Sequence, residues 1–98
     1  VVSDNKEINA DLGFNIGKIA PNPVKTSTLI SYNLSKPCYV TLNVYDALGR
    51  EVKTLVKQDT SAGAHIVNFN ASDLSSGVYF CRLEANGTSS VKKMIINK

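Results

Sequence analysis

The sequence of 98 residues holds no tryptophan, one histidine, one methionine, two cysteines and three prolines. Each scarcity excludes something. His65 as the only histidine, and Cys38 and Cys81 without a CxxC spacing, leave no converging ligand set for zinc or a related metal. Two cysteines are too few for a disulfide framework. No block of like charge exists. Eleven basic and eight acidic residues are scattered through the chain for a net charge of +3, which argues against a nucleic-acid partner. No apolar run approaches the roughly 20 residues of a membrane-spanning helix, so no membrane insertion is expected. Phosphate loop, nucleophile elbow and paired-carboxylate spacing are all missing. The expectation is a protein that is not an enzyme and needs no cofactor.

What is present is an ordinary globule, 43% hydrophobic and 19% charged, of a length that suits one all-β domain. The clearest pattern is Val40 to Val56. Val40, Leu42 and Val44 alternate with Thr41, Asn43 and Tyr45, the period of a strand with one apolar face. Asp46-Ala-Leu-Gly49 interrupts the run as a hairpin turn, and apolar spacing resumes at Val52, Leu55 and Val56. Other strands are expected at Phe14, Ile16 and Ile19, at Thr28 to Leu34, at Ala64 to Asn70, after Gly77, and at Val91 to Lys98. A polar loop is expected over Gln58 to Gly63, and Asn86-Gly87 is the strongest hairpin signal. Pro21-Asn22-Pro23 cannot continue a ladder and marks a stiff kink where the chain changes sheet or direction. About seven strands with turn signals every 8–12 residues predict an all-β, immunoglobulin-like antiparallel sandwich. Its core would include Ile30, Tyr32, Leu34, Val40, Leu42, Val44, Val67, Phe69, Tyr79 and Leu83.

Tyr79, just inside the strand after Gly77, reads as a tyrosine corner, its hydroxyl tied to backbone near Asp73 or Leu74. With no tryptophan on the third strand and no cysteine on the second, the antibody-type hallmark is absent. Cys38 and Cys81 are a possible bridged pair or two separate small apolar side chains. Antiparallel pairing of the third and sixth strands would keep them several residues apart, so they are expected not to be bonded to each other. Residues 1–13 are polar and without period, and are read as a linker from a preceding domain, with the folded unit at 14–98. The start at Val1 suggests a piece of a longer or processed protein.

Candidate polar sites are few. His65 reads as a core or rim histidine. Asp46 and Asp73 read as turn-bonding carboxylates, although a loop calcium site at Asp46, Glu51, Asp59 or Asp73 is conceivable. The triplets starting at Asn33, Asn70 and Asn86 match the glycosylation sequon but are read as turn chemistry. Tyr32, Tyr39, Tyr45 and Phe80 could form an aromatic face for sugar stacking or simply pack across strands.

Several motifs occur in order: Pro21-Asn22-Pro23, Thr28 to Pro37, Val40 to Val52 with Asp46, Gly49 and Arg50, Gly77-Val-Tyr79-Phe80, and Lys92-Lys-Met-Ile-Ile-Asn-Lys98. Over residues 19 to 98 this series resembles the C-terminal sorting domain of type IX secretion cargo. It is also similar to the immunoglobulin-like domain of flagellar hook-capping proteins. Cys38 and Cys81 depart from the family pattern, which usually has glycine and often an aromatic at those places. The resemblance implies a non-catalytic address label. It would direct an N-terminal cargo domain of the same chain out of the periplasm, through the outer-membrane translocon of Bacteroidetes-type bacteria, to the cell surface or beyond, with a sortase component acting on it there. It further implies that the tail carries the recognised residues Lys92, Lys93, Met94, Ile95, Ile96 and Lys98. Pro21, Pro23, Asp46, Gly49, Arg50, Gly77 and Tyr79 would be structural. The alternative is an accessory carbohydrate-binding or spacer module of a secreted glycoside hydrolase.

Overall fold

Strand alternation decides what each residue of this chain faces. In the computed structural model, which describes residues 14–98, the strands are β1 (Phe14–Ala20), β2 (Ser27–Leu34), β3 (Cys38–Asp46), β4 (Glu51–Thr60), β5 (Gly63–Asn70), β6 (Gly77–Ala85) and β7 (Thr88–Ile96). They form a sandwich of two sheets, ordered β1-β2-β5 and β4-β3-β6-β7. All ladders are antiparallel. The fourth strand lies beside β3, and not with the first, second and fifth strands as in constant-type immunoglobulin domains. The expected linker, residues 1–13, lies outside the described residues.

Facing rows from the two sheets meet in one core: Ile30, Tyr32 and Leu34 from β2, Val40, Leu42 and Val44 from β3, Phe69 from β5, and Tyr79, Cys81 and Leu83 from β6. Val67 lies on the expected face but is only half-buried. The core also takes Val24, Ala71, Ala85, Met94 and Ile96, each no more than 1% exposed. Burying such side chains is worth about 1.5–3 kcal/mol each for the larger ones, and is the main term holding the sheets together.

Two irregularities explain apolar spacings that do not fit a period of two. In β1 the register shifts between Ile16 and Ile19, and both side chains end up buried. Ser31 fills this bulge: its hydroxyl accepts from the Lys18 N–H (2.8 Å) and donates to the Lys18 carbonyl (3.3 Å). A Cβ at Gly17 would stand 2.9 Å from that hydroxyl oxygen, so the close approach needs glycine. In β4, two shifts leave Val52 and Leu55 without partners on β3. The extra residues re-aim Val52, Leu55 and Val56 so that all three pack against the core.

Some boundaries differ from expectation. Gln58 to Thr60 belong to β4, paired with Val40, Tyr39 and Cys38, so the polar loop shrinks to Ser61 and Ala62. Asn33 is a β2 residue opposite Asn15 and Ala64, not a turn. The last strand starts earlier, at Thr88, and ends at Ile96.

The corner is present, with a shifted acceptor: the Tyr79 hydroxyl donates to the Ser75 carbonyl at 2.8 Å, one or two residues beyond Asp73 and Leu74. The chain turns before Gly77, where the Leu74 N–H donates to the Ala71 carbonyl (3.0 Å). Both cysteines are free. Cys81 pairs with Val44, six residues along β3 from Cys38, a span of about 20 Å that no disulfide covers. Burial pushes the Cys81 thiol up to about 11, which removes the reactive thiolate.

Two outcomes check this. Tyr79→Phe should remove the bond to the Ser75 carbonyl and cost about 0.5–1.5 kcal/mol in urea denaturation, and an unchanged midpoint would count against the corner. Thiol titration of unreduced protein at pH 8 should find two thiols after unfolding, with Cys81 reacting in the native state at least about tenfold more slowly than in the unfolded chain. Finding no thiol in the unfolded chain would refute the free pair.

Candidate functional site

The motif residues gather at one end of the sandwich. Register places Asp46 opposite Tyr79 and Tyr79 opposite Met94, while Gly77 faces Ile96. The β1–β2 connection (21–26), the Asp46–Arg50 turn, the β5–β6 connection (71–76) and the end of β7 therefore lie together. Pro21, Pro23, Asp46, Gly49, Arg50, Gly77 and Tyr79 all belong to this end.

The tail is divided by strand parity. Asn86 and Gly87 take positive φ (53° and 79°), the two-residue hairpin geometry that asparagine-glycine favours, and the Thr88 hydroxyl donates to the Ala85 carbonyl (2.9 Å). From there β7 runs beside β6 without a register shift. Met94 and Ile96 turn inward and are 0% and 1% exposed. Lys93, Ile95 and Val91 occupy the outer face, and Lys92, at the rim, donates to the Gly17 carbonyl of β1 (2.9 Å). Of the expected tail residues, a reader of the folded surface meets Lys92, Lys93, Ile95 and Lys98. Met94 and Ile96 are core side chains.

The Pro-Asn-Pro segment holds this tail. Neither proline has an N–H to offer a ladder, but Asn22 and Val24 can bond. The Ile95 N–H donates to Asn22 Oδ1 (3.0 Å). The Val24 N–H donates to the Ile95 carbonyl (2.7 Å), and the Asn97 N–H donates to the Val24 carbonyl (2.8 Å). Together these make a parallel bridge between Val24 and Ile96. The kink thus changes direction, since β1 and β2 stay in one sheet, and its next residue crosses to the edge of the other. Thr28 anchors the loop by donating to the Pro21 carbonyl (2.8 Å). Past the strand, the Lys98 N–H donates to Ser76 Oγ (3.0 Å) and Lys98 Nζ to the Ser72 carbonyl (2.8 Å). Sequence reasoning missed Asn22 and Val24 as tail partners, because a bridge across some seventy positions leaves no local pattern.

Asp46 organises the neighbouring turn. Its Oδ1 accepts from the N–H groups of Leu48 (2.9 Å) and Arg50 (3.0 Å), and its Oδ2 meets Arg50 Nε at 2.9 Å. The Arg50 N–H above all, with the Leu48 N–H and the guanidinium, holds this carboxyl below the usual range. Gly49, at φ 87°, closes the turn. Asp73 differs from expectation. Its main partner is Lys53 of β4, at 3.2 Å, and that ammonium lowers its pKa. Asn70 Oδ1 accepts from the Ser72 N–H (2.8 Å), a local turn bond.

The remaining candidates scatter. His65 donates from Nε2 to the Ser61 carbonyl (2.7 Å) and stacks on Tyr32 at 5.2 Å, at the opposite end of the sandwich. Among the described residues no three His, Cys, Asp or Glu side chains converge to hold a metal. Tyr32 is buried in the three-stranded sheet, so it cannot join an aromatic face with Tyr39, Tyr45 and Phe80. Tyr45 and Phe80 are cross-strand neighbours, but Tyr39 stands six residues, about 20 Å, along β3. No contiguous sugar platform results.

The Asp46 turn yields a pH prediction. A carboxyl with a depressed folded pKa adds stability that is present above its unfolded value and lost as pH falls through the folded one. The urea midpoint should drop between pH 5.5 and pH 2.5, and Asp46→Asn, which keeps an acceptor but not the charge, should show a smaller drop. Equal drops would refute the assignment.

No functionally curated protein matches the sequence. A crystal structure of an uncharacterized protein from Bacillus anthracis str. Ames is similar, with a TM-score of 0.66 and 10% identity over 95% of this chain and 91% of that one. At that identity the likeness concerns the fold alone. A family profile described as "Secretion system C-terminal sorting domain" matches residues 18–97, the span that contains both the Pro-Asn-Pro segment and the tail it holds. This chain belongs to that family, the C-terminal sorting domains of type IX secretion.

Proposed function

We propose that residues 14–98 act as a non-catalytic address that takes a cargo domain, N-terminal in the same chain and joined through residues 1–13, from the periplasm through the type IX outer-membrane translocon to the cell surface or the medium. The family match over residues 18–97 is the observation that carries this reading. The recognised element is the tail strand, and its outward residues Lys92, Lys93, Ile95 and Lys98 are those a translocon or sortase component would meet. Met94 and Ile96 serve the address indirectly, by seating β7 on the core. Basic side chains on an edge also resist casual self-pairing, which keeps the strand free for a dedicated receptor.

The test fuses residues 14–98 to a periplasmic reporter in a host with the type IX system. The intact fusion should reach the surface, and deletion of Lys92 to Lys98 should strand it in the periplasm. Because the deletion also removes Met94 and Ile96 from the core, Lys93→Ala/Lys98→Ala is made alongside, with the fold intact and export expected to fall. Equal export of intact and deleted fusions places the address elsewhere, and retention of both rejects the sorting role.

A further inference from the structure

The free edge of β7 is split in two by the segment that holds the tail. Along an antiparallel ladder, residues alternately bond the neighbour and face away from it. The Ile95 N–H and carbonyl both face away from β6, toward Asn22 and Val24. With no register shift in the β6–β7 pair, the N–H and carbonyl groups of Ser89, Val91 and Lys93 face the same way. Both groups of Ile95 and the N–H of Asn97 are taken. Those of Ser89, Val91 and Lys93 have no partner strand among the described residues. The edges of β1 and β4 are blunted by bulges, and β5 carries no Lys, Arg, Asp or Glu. On β7 the open stretch is straight, bears Lys92 and Lys93, and exposes Val91 at 58%.

Building on the sorting reading, we propose that the β7 edge from Ser89 to Lys93 docks one extended strand of a partner protein, with carboxylates alternating with apolar side chains, and that Asn22 and Val24 fix its register by closing the edge beyond Lys93. Val24 already adds to this edge as a strand would, which establishes that the edge accepts an in-plane neighbour. Main-chain bonds to Ser89, Val91 and Lys93 supply the binding mode of strand addition, and side chains beside them supply selection. Partner side chains alternate between faces, so its apolar row meets Val91 on the outer face and its carboxylate row meets Lys92 at the rim, while Lys93 adds positive charge at the closed end of the edge.

The experiment titrates the 98-residue chain with an acidic probe, acetyl-(Glu-Val)4-amide, and a basic control, acetyl-(Lys-Val)4-amide, and follows backbone amide exchange. The acidic probe should slow the Ser89, Val91 and Lys93 amides roughly tenfold. Ser90 and Lys92, whose amides face β6, should not change, and the basic probe should have no effect. Val91→Pro removes an outward N–H and no ladder bond, so it should abolish the protection while the Ile95 amide stays slow. If Val91→Pro does not fold, Lys93→Glu keeps the backbone and should weaken the acidic probe. No protection, equal protection by both probes, or protection on β5 instead overturns the proposal. In the fusion assay, surface export of folded Val91→Pro equal to the intact domain overturns it as well. Retention of the intact fusion counts against the sorting reading alone, and the exchange result then still decides the edge.

Discussion

Two backbone hydrogen bonds on either side of Ile96 join the first connection of the domain to its last strand. The placement of the tail at this end of the sandwich depends on them. Val24 directly follows Pro23, which has no N–H to offer, and turns both its own N–H and its carbonyl to the edge of β7. With Asn22 they fix the backbone of Ile95 to Asn97, and that in turn seats Met94 and Ile96 in the core. The tail strand is therefore a core element and a surface element at once, divided residue by residue.

Much of the fold was legible in the sequence because its strands alternate strictly. β2, β3 and β5 were placed by the apolar rows Ile30-Tyr32-Leu34, Val40-Leu42-Val44 and Val67-Phe69, and the hairpins by Asp46 to Gly49 and Asn86-Gly87. The misses have physical causes. Gln58 to Thr60 look like loop residues, yet β3 offers them a ladder, and backbone pairing outweighs a weak local preference. The spacing of Ile16 and Ile19, and of Val52, Leu55 and Val56, fits no period because bulges absorb the extra residues. Val24 was passed over because a lone valine beside prolines has no periodic neighbours.

The site was legible in part. The order of motifs pointed to the family, and the resemblance made the tail the expected recognition element. Parity alone could have separated Met94 and Ile96 from Lys93 and Ile95, once β7 was known to pack on a core. The partners Asn22 and Val24 could not be inferred, since only the closed sandwich brings positions 22–24 beside 95–97. Asp73 was read as a turn residue because its surroundings in sequence are turn-like, whereas its cation, Lys53, comes from β4, twenty positions away in sequence.

The bridge at Val24 also bears on when the domain can form. Its partner strand comes last in the described chain, and the core that holds Val24 and Tyr79 lacks two of its side chains until Met94 and Ile96 arrive. During synthesis the sandwich closes only after β7 has left the ribosome. A transcript cut short before β7 yields a chain with six strands, a bare β6 edge and an open core. The address thus becomes readable only on molecules that were translated through to it, and incomplete ones are marked by their own exposed apolar surface.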